Sequence, residues 1–335
     1  MIGRPPRPVR RLAFIAALGY EGRPAARVAE SLAAIGYDAV EWTMAQLDDL
    51  GAGLALPACA LACQQDLVGG GVVAVETTIA ALHRAHELEI PIVDVVTGPN
   101  LWEPGALAVA RDDEQAWSIA LGGLERICAV AEPLGVRVGL EPCWGTLAAD
   151  AAGARRVLEA VPVALTFDPS HFVMTGDDIP GFVREHAARL AHVHLKDAFG
   201  RSGLEGRDFI FCQLGEGLVP WDALLAALDE VGYDGALSIE YEAYGYYERV
   251  LGAEPDAAAR LAAEQARALV EGAQVGGARA GDASAGGAEA GDASAGGARA
   301  GGSPRSEVPV SASPAAGSRP TAVPPAVAAE RGARP

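Results

Sequence analysis

Eight short apolar segments recur along the first 275 residues, and amphipathic stretches separate most of them. The segments have the length of β-strands, and the stretches between them carry apolar residues at helical spacing. The predicted strands are Leu12–Leu18, Tyr37–Thr43, Pro57–Cys63, Ile92–Thr97, Val136–Glu141, Val163–Asp168, Leu190–Asp197 and Ala236–Glu242. The predicted helices are Pro24–Ile35, Val72–Leu88, Asp112–Leu134, Ala148–Ala160, Ile179–Ala188, Trp221–Val231 and Glu254–Leu269, with a short one at Ala45–Leu50. This alternation predicts a parallel sheet covered by helices.

The number of strands indicates how the sheet is arranged. Eight strands with seven or eight helices over about 270 residues match an α/β fold of the (β/α)8 TIM barrel type in count and size. A doubly wound open sheet is the alternative, and it usually has a G-x-G-x-x-G loop after its first strand. The segment Leu18–Arg23, LGYEGR, lacks that spacing. We therefore predict a barrel over residues 1–275.

Composition changes sharply near Gly276. From there to Pro335 the sequence is mostly Ala, Gly, Ser, Pro and Arg, and a decamer recurs as GGARAGDASA, GGAEAGDASA and a truncated GGARAGG. Such a segment has too little apolar surface to offset the entropy lost on ordering. We therefore expect residues 276–335 to form a disordered tail without a function of its own.

The charge balance constrains the partners. The 335 residues include 44 acidic and 26 basic ones, for a net charge of −18. Nucleic-acid binding needs a basic surface, so we expect no nucleic-acid partner. An acidic excess suits an enzyme that handles small molecules. We expect a small sugar-like substrate as the partner, and the sequence leaves the oligomeric state open, including a homo-oligomer.

The sequence also bears on location. No apolar run approaches the roughly 18 residues of a membrane span, so we expect no membrane partner. The apolar stretch near the N-terminus lacks a clear cleavage site, and we interpret it as the first strand rather than a signal peptide. The cysteines are odd in number and form no CxxC pair, as expected for reduced thiols. These features predict a cytoplasmic protein.

Polar side chains end four consecutive predicted strands. Side chains of a barrel strand alternate between the interior and the helix layer, and this alternation places Glu141, Asp168, His194 and Glu240 inside. Barrel active sites lie at this C-terminal end of the strands. Three carboxylates and an imidazole cannot remain uncompensated there, so they predict ligands of one divalent cation. The oxygen-rich set favours Mn2+ or Mg2+, and it is compatible with Co2+ or Zn2+.

Four further polar residues accompany these strand ends. Lys196 faces inward, where it could bind a substrate carboxylate or phosphate, or form an ion pair with a ligand carboxylate. Glu41 ends the second strand in the inward register and is predicted to reach the substrate. His192 lies one layer deeper and is expected to be a hydrogen-bonded core histidine, while Asp197 is expected to cap the following loop. Aromatic residues that could line a sugar-sized pocket are Trp102, Trp144 and the segment Tyr241–Tyr247.

Several short motifs resemble the sugar phosphate isomerase/epimerase family, which is the xylose isomerase-like barrel group. The resemblance extends from about Leu12 to Leu269. The motifs are GYDAVEW (Gly36–Trp42), GLEP (Gly139–Pro142), FDPSH (Phe167–His171), HVHLKD (His192–Asp197), LGEG (Leu214–Gly217) and YDGALSIEYE (Tyr233–Glu242).

The resemblance implies roles for the residues within these motifs. Glu141, Asp168, His194 and Glu240 would bind the metal, and the two glutamates would also act as acid and base beside a carbonyl. His171 would contact substrate oxygens. A metal that bridges a carbonyl and the adjacent hydroxyl stabilises an enediolate, and a carboxylate on each face can move the proton.

The sequence departs from the family at two places. A histidine often follows the strand-five glutamate in the family, where this chain has Cys143 and Trp144. A histidine is also common on the third strand, where this chain has the segment Cys63–Gln65, CQQ. These differences bear on the identity of the substrate.

We therefore expect a metal-dependent isomerase or epimerase acting on a sugar or sugar-like ketone through an enediolate. Its substrate contacts would be His171, Lys196 and Glu41. A lyase that dehydrates a keto-inositol or a dehydroshikimate-like acid is the alternative, because it uses the same enolate chemistry. A repair endonuclease of the related abasic-site group is disfavoured by the six histidines and the acidic charge. A non-catalytic metabolite binder is disfavoured because all four ligand positions are present.

Overall fold

The computed structural model describes residues 10–101 and 104–283, and its centre is a closed barrel of eight parallel strands. Neighbours in the barrel follow the order of the chain, and the last barrel strand pairs with the first. The barrel strands are β1 Leu12–Ile15, β2 Ala39–Thr43, β3 Ala58–Ala62, β4 Ile92–Val95, β5 Arg137–Leu140, β6 Ala164–Phe167, β7 Leu190–Leu195 and β10 Leu237–Ile239. A separate antiparallel hairpin consists of β8 Asp197–Gly200 and β9 Phe209–Cys212. The predicted TIM barrel is confirmed.

Helices lie between the strands, at nearly all the predicted positions. They are α1 Ala25–Ile35, α2 Gly71–Glu87, α3 Pro104–Arg111, α4 Glu114–Leu134, α5 Ala151–Ala160, α6 Pro169–Thr175, α7 Ile179–Glu185, α8 Trp221–Glu230, α9 Tyr244–Arg249 and α10 Pro255–Ala283. Aspartates at 113, 150 and 178 begin α4, α5 and α7 by accepting backbone N–H groups. The short helix expected at Ala45–Leu50 is a single 3-10 turn, Leu47–Asp49.

Three helices and the hairpin are absent from the sequence prediction. For α6, the sequence contains one indication of a helix start, the pair Asp168-Pro169. Asp168 accepts the Ser170 N–H at 2.8 Å, and Pro169 lies in the first helical turn. This is the pattern of an N-cap followed by proline. Because α6 is only two turns long, apolar periodicity does not reveal it.

The two faces of the barrel strands differ as the alternation predicts. Val193 and Leu195 of β7 pack in the helix layer, whereas His192 and His194 face the interior. Gly139 of β5 also faces inward, and a Cβ there would lie 2.2 Å from Thr166 Oγ1. The lower end of the interior is filled by apolar side chains, most of them alanines: Ala13, Ala39, Cys59, Ala60, Ile92, Ala191 and Ala236.

The C-terminal end of the barrel unit is helical. Helix α10 continues to Ala283, past the change in composition at Gly276. The rest of the predicted tail lies outside the described residues, so its disorder stays a prediction. None of the helices in the described ranges is long and apolar enough to cross a membrane.

Candidate metal centre

The four predicted ligands converge at the C-terminal mouth of the barrel. Glu141 follows β5, Asp168 follows β6, His194 lies near the end of β7, and Glu240 follows β10. One ligand atom from each lies within 4.8 Å of the others. Three of the side chains are buried, and that of Glu240 is 17% exposed. The inward register read from the sequence therefore brings these groups together.

The cluster fits a divalent cation. Donors on opposite sides of an ion bound at about 2.1–2.3 Å lie roughly 4.2–4.6 Å apart. This separation is within the 4.8 Å spread of the four donors. Three carboxylates and one imidazole also form a donor set that Mn2+, Mg2+, Co2+ and Zn2+ accept.

His194 presents its two ring nitrogens to different partners. Nδ1 lies 3.2 Å from Glu141 Oε1 and 3.3 Å from Glu240 Oε2, while Nε2 lies 3.3 Å from Glu41 Oε1. Burial would lower the pKa of His194, but the carboxylates of Glu41 and Glu141 outweigh it and raise the pKa well above its usual value. A cation that binds this imidazole therefore competes with a proton.

Lys196 is the only lysine of the chain, and it lies among the carboxylates of the cluster. Its Nζ is 2.9 Å from Asp168 Oδ2, 2.8 Å from Glu240 Oε2 and 3.0 Å from Glu242 Oε2. Burial opposes the charge, but these carboxylates raise the pKa of Lys196 well above its usual value. Of the two predicted roles, the structure shows the ion pair with ligand carboxylates.

His171, in the first turn of α6, points into the same cluster. The Trp144 backbone N–H donates to His171 Nδ1 at 3.4 Å, which assigns the ring proton to Nε2. Nε2 lies 3.3 Å from Asp168 Oδ2 and 3.9 Å from Glu141 Oε1. His171 therefore presents an N–H group to the edge of the cluster, and its contact with a substrate stays a prediction.

Glu41 is placed differently from the prediction. Its side chain is fully buried below the ligands, and both carboxylate oxygens are occupied by histidine rings. Oε2 lies 2.7 Å from His192 Nε2, and Oε1 lies 3.3 Å from His194 Nε2. The carboxylate of Glu41 therefore contacts two histidines of β7, and its predicted contact with the substrate stays a prediction. His192 is the hydrogen-bonded core histidine that was expected.

Gln64, which lies where the sequence departs from the family, contacts the cluster. It follows β3 by two residues, and its Nε2 donates to Glu141 Oε2 at 2.5 Å. Glu141 is therefore held on both oxygens, by Gln64 on one and by His194 on the other. The available signal was a polar side chain just beyond a strand end at the barrel mouth.

The hairpin β8–β9 forms an apolar wall beside the cluster. Phe209 and Phe211 pack with Trp144 and Met174, and the Phe211 ring lies 4.7 Å from Lys196 Nζ. Trp144 thus packs beside the cluster, and its role in lining a substrate pocket stays a prediction, whereas Trp102 lies outside the described residues.

Asp197, at the start of this hairpin, orders the loop that follows it. Its carboxylate accepts backbone N–H groups from Gly215, Gly217 and Val219 and the indole N–H of Trp221. The predicted loop cap is confirmed, and it accounts for the LGEG motif at Leu214–Gly217.

Three further carboxyl groups surround the ligands. Asp94 of β4 is fully buried, and the Thr166 hydroxyl lies beside its carboxyl group. Burial, and then the charge of Glu141, raise its pKa well above the usual value. Glu205 lies near Glu242 and Lys196, and its pKa is raised by burial and by the Glu242 carboxylate. The mouth therefore contains a large excess of acidic groups over cationic ones.

Curated relatives resemble part of the chain. The inosose dehydratase of Geobacillus thermodenitrificans is 27% identical over 143 residues, which cover 38% of this chain and 48% of that protein. The inosose dehydratase of Erwinia tasmaniensis is 31% identical over 146 residues, which cover 39% of this chain and 49% of that protein. The chain thus spans about half the length of the curated relatives it matches.

Solved structures share the fold at low sequence identity. A crystal structure of the IolI protein with a bound zinc atom aligns with a TM-score of 0.64 and 20% identity, covering 78% of this chain and 98% of that one. The structure of an L-ribulose 3-epimerase aligns with a TM-score of 0.63 and 17% identity, covering 81% and 98%. The sequence model of the xylose isomerase-like TIM barrel matches residues 69–270, more than half of the chain. The chain therefore belongs to the xylose isomerase-like TIM barrel family.

Proposed function

We propose that the chain is a divalent-metal-dependent enzyme that removes a proton next to the carbonyl of an uncharged sugar-like ketone and then eliminates water. The observation that carries the proposal is the cluster of Glu141, Asp168, His194 and Glu240, with its donor atoms within 4.8 Å. A metal ion bound by these residues supplies a Lewis acid that polarises the substrate carbonyl.

Glu240 is suited to act as the base. Its Oε2 contacts Lys196 and His194, while its Oε1 makes no hydrogen bond within the described part of the chain. The side chain is also the most exposed of the four ligands. One oxygen can therefore meet a substrate C–H group while the other remains in the cluster.

Glu141 is less suited to exchange a proton. Both of its oxygens have partners, and the Gln64 N–H at 2.5 Å stabilises the charged carboxylate. Burial would raise the pKa of Glu141, but His194 and Lys196 outweigh it and lower the pKa. Elimination needs one base at carbon, whereas epimerisation needs a proton donor on the opposite face. The asymmetry between the two glutamates therefore favours elimination.

Two N–H donors beside the ligands can act on the leaving hydroxyl. They are His171 Nε2 and the Lys196 ammonium group. In the proposed reaction, Glu240 takes the proton from carbon and the C–H electron pair forms the new C=C bond. The C–O bond at the next carbon breaks, and the hydroxyl leaves as water with a proton from the Lys196 ammonium group, while His171 Nε2 donates a hydrogen bond to the leaving oxygen.

The charges around the cluster favour an uncharged substrate. Lys196 is the one lysine or arginine side chain that the structure shows in ionic contact with the ligands, within the described residues. Even with the charges of Lys196 and of a bound divalent cation, the carboxylates of Glu41, Glu141, Asp168, Glu240 and Glu242 leave this partly buried mouth negative, so a phosphate or carboxylate group would be repelled. A keto-inositol therefore fits better than a dehydroshikimate-like acid or a sugar phosphate, and the curated relatives are named inosose dehydratases. The surrounding carboxyl groups are Glu41, Asp94, Glu141, Asp168, Glu205, Glu240 and Glu242.

Isomerisation or epimerisation of a ketose is the second candidate. Glu141 and Glu240 both belong to the cluster, so a proton removed by one could be returned by the other. The likeness in fold to an L-ribulose 3-epimerase is compatible with this outcome. The two reactions share the enolate and differ only in the fate of the adjacent hydroxyl.

The test is turnover of a keto-inositol and of free ketoses in D2O by protein loaded with Mn2+, Mg2+, Co2+ or Zn2+. Dehydration yields a product lighter by one water. Epimerisation yields an isomer of unchanged composition that carries deuterium at carbon. Glu240→Gln is the matched variant, since it keeps the shape of the side chain and removes the base. Absence of both products with every metal would refute the proposed function.

A further inference from the structure

A carboxylate and a second histidine lie directly beneath the ligand histidine. Glu41 of β2 and His192 of β7 are buried, and Glu41 Oε2 is 2.7 Å from His192 Nε2. The other oxygen of Glu41 is 3.3 Å from His194 Nε2. The three side chains therefore form a continuous series that ends at the metal ligands.

The chemistry of these groups determines which nitrogens carry protons. A carboxylate only accepts hydrogen bonds, so the ring nitrogen facing each Glu41 oxygen must be the donor. Both ring nitrogens of His194 face carboxylates, so in the metal-free protein both donate, Nε2 to Glu41 and Nδ1 to Glu141 and Glu240. A cation held by Glu141, Asp168 and Glu240 would displace the proton of Nδ1, which faces two of these carboxylates, and would leave Nε2 donating to Glu41. An imidazole can bind a metal only through an unprotonated nitrogen.

We propose that Glu41, held by His192, is a positioning residue that fixes His194 as the Nε2-protonated tautomer and so makes Nδ1 the metal-binding nitrogen. The inference rests on the metal site of the proposed function and does not depend on which reaction the site catalyses. Hydrogen bonds from a ligand histidine to a buried carboxylate orient the ring and raise its basicity.

The same three residues could instead hold a second cation, since their donor atoms also lie close together. The distances favour the hydrogen bond. Two donors bound side by side to one ion at about 2.1 Å are roughly 3.0 Å apart. The separation of 2.7 Å between Glu41 and His192 is shorter than that and is typical of a charge-assisted hydrogen bond.

The first experiment needs no substitution at Glu41. The full chain is labelled with 15N-histidine and loaded with Zn2+, and long-range 1H–15N correlation identifies the protonated nitrogen of each of the six rings. A His192→Gln variant assigns the neighbouring signal. We expect His194 to carry its proton on Nε2 and to bind zinc through Nδ1. A proton on Nδ1 of His194 would overturn the inference while leaving the metal site in place.

The second experiment measures zinc affinity by competition with a chelator. Glu41→Ala is expected to weaken zinc binding about 10- to 100-fold, and Glu41→Gln to recover part of that loss because its amide oxygen still accepts one N–H. Ser238→Ala is the matched control, because this buried hydroxyl has no hydrogen-bond partner within the described residues, and its zinc affinity should equal that of the wild type.

Two outcomes of the zinc measurements would contradict the inference. Wild-type affinity in folded Glu41→Ala would show that Glu41 does not support the ligand. A second zinc ion per wild-type chain, lost in Glu41→Ala, would assign these residues to a metal site of their own. If Glu41→Ala does not fold, His192→Leu provides the same test, with a smaller loss of affinity expected. Absence of zinc from the wild type would instead refute the metal site itself.

Discussion

The two ends of the barrel interior lie on the same eight strands but contain different side chains, apolar at the lower end and charged or polar at the upper end. The lower end is filled by small apolar residues such as Ala13, Ala39 and Ala191. The upper end holds buried carboxylates, two histidines and the single lysine.

The two ends therefore contribute differently: the lower end to the stability of the fold, and the upper end to metal binding and catalysis. Apolar packing at the lower end contributes to the free energy of unfolding. Charges at the upper end must be removed from water, and that cost is offset only by mutual pairing or by a bound cation. Substitutions at the upper end should therefore change metal binding and turnover, and substitutions at the lower end should change stability alone.

The largest expected effect is on turnover at the upper end. Glu240→Gln should lower kcat by about 10²- to 10⁴-fold, because it removes the proposed base while keeping the shape of the side chain. The measurement is product formation under saturating metal, with circular dichroism as the check on folding. Activity near that of the wild type would assign the base to another residue.

The next largest effect concerns the free-energy cost of burying the carboxylates at the upper end. Lys196→Met should destabilise the metal-free protein by about 3–5 kcal/mol at neutral pH, since it leaves buried carboxylates without their cation. Saturating Mn2+ should then raise the melting temperature more in the variant than in the wild type. Lys196→Arg, which keeps the charge, is the control. An equal rise in both proteins would show that the ammonium and the metal do not offset the same repulsion.

A smaller effect is expected at the lower end. Ala13→Leu should lower the free energy of unfolding by about 1–3 kcal/mol through overpacking, measured by urea denaturation. Metal content should stay at the wild-type level, because β1 contributes none of the four ligands. Ala13→Ser, which nearly preserves the volume, is the matched variant. Loss of metal from Ala13→Leu would show that the lower end also affects metal binding.

The smallest effect concerns pH. Because the carboxylates raise the pKa of His194, this imidazole is protonated in the metal-free protein below that raised pKa. Metal binding must then release a proton, so the apparent Kd should increase about tenfold for each pH unit of acidification. Calorimetry in buffers of different ionisation enthalpy counts the protons released. A Kd independent of pH around neutrality would contradict the raised pKa.

The sequence by itself determined the barrel and the four converging strand ends. Both depend on short-range patterns: the alternation of strand and helix segments, and the two-residue period that directs Glu141, Asp168, His194 and Glu240 inward. The segment boundaries in the structure differ from the prediction by a few residues at most for the barrel strands.

Only the tertiary structure decided how the polar residues pair. Glu41 and His192 are 151 positions apart, and Gln64 and Glu141 are 77 apart, so no local pattern relates them. Their contacts depend on which side chains meet at one level of the closed barrel. The short helix α6 and the hairpin β8–β9 likewise owe their stability to packing at the mouth rather than to periodicity. The sequence therefore predicted which four residues converge, and the fold decided which residues contact them.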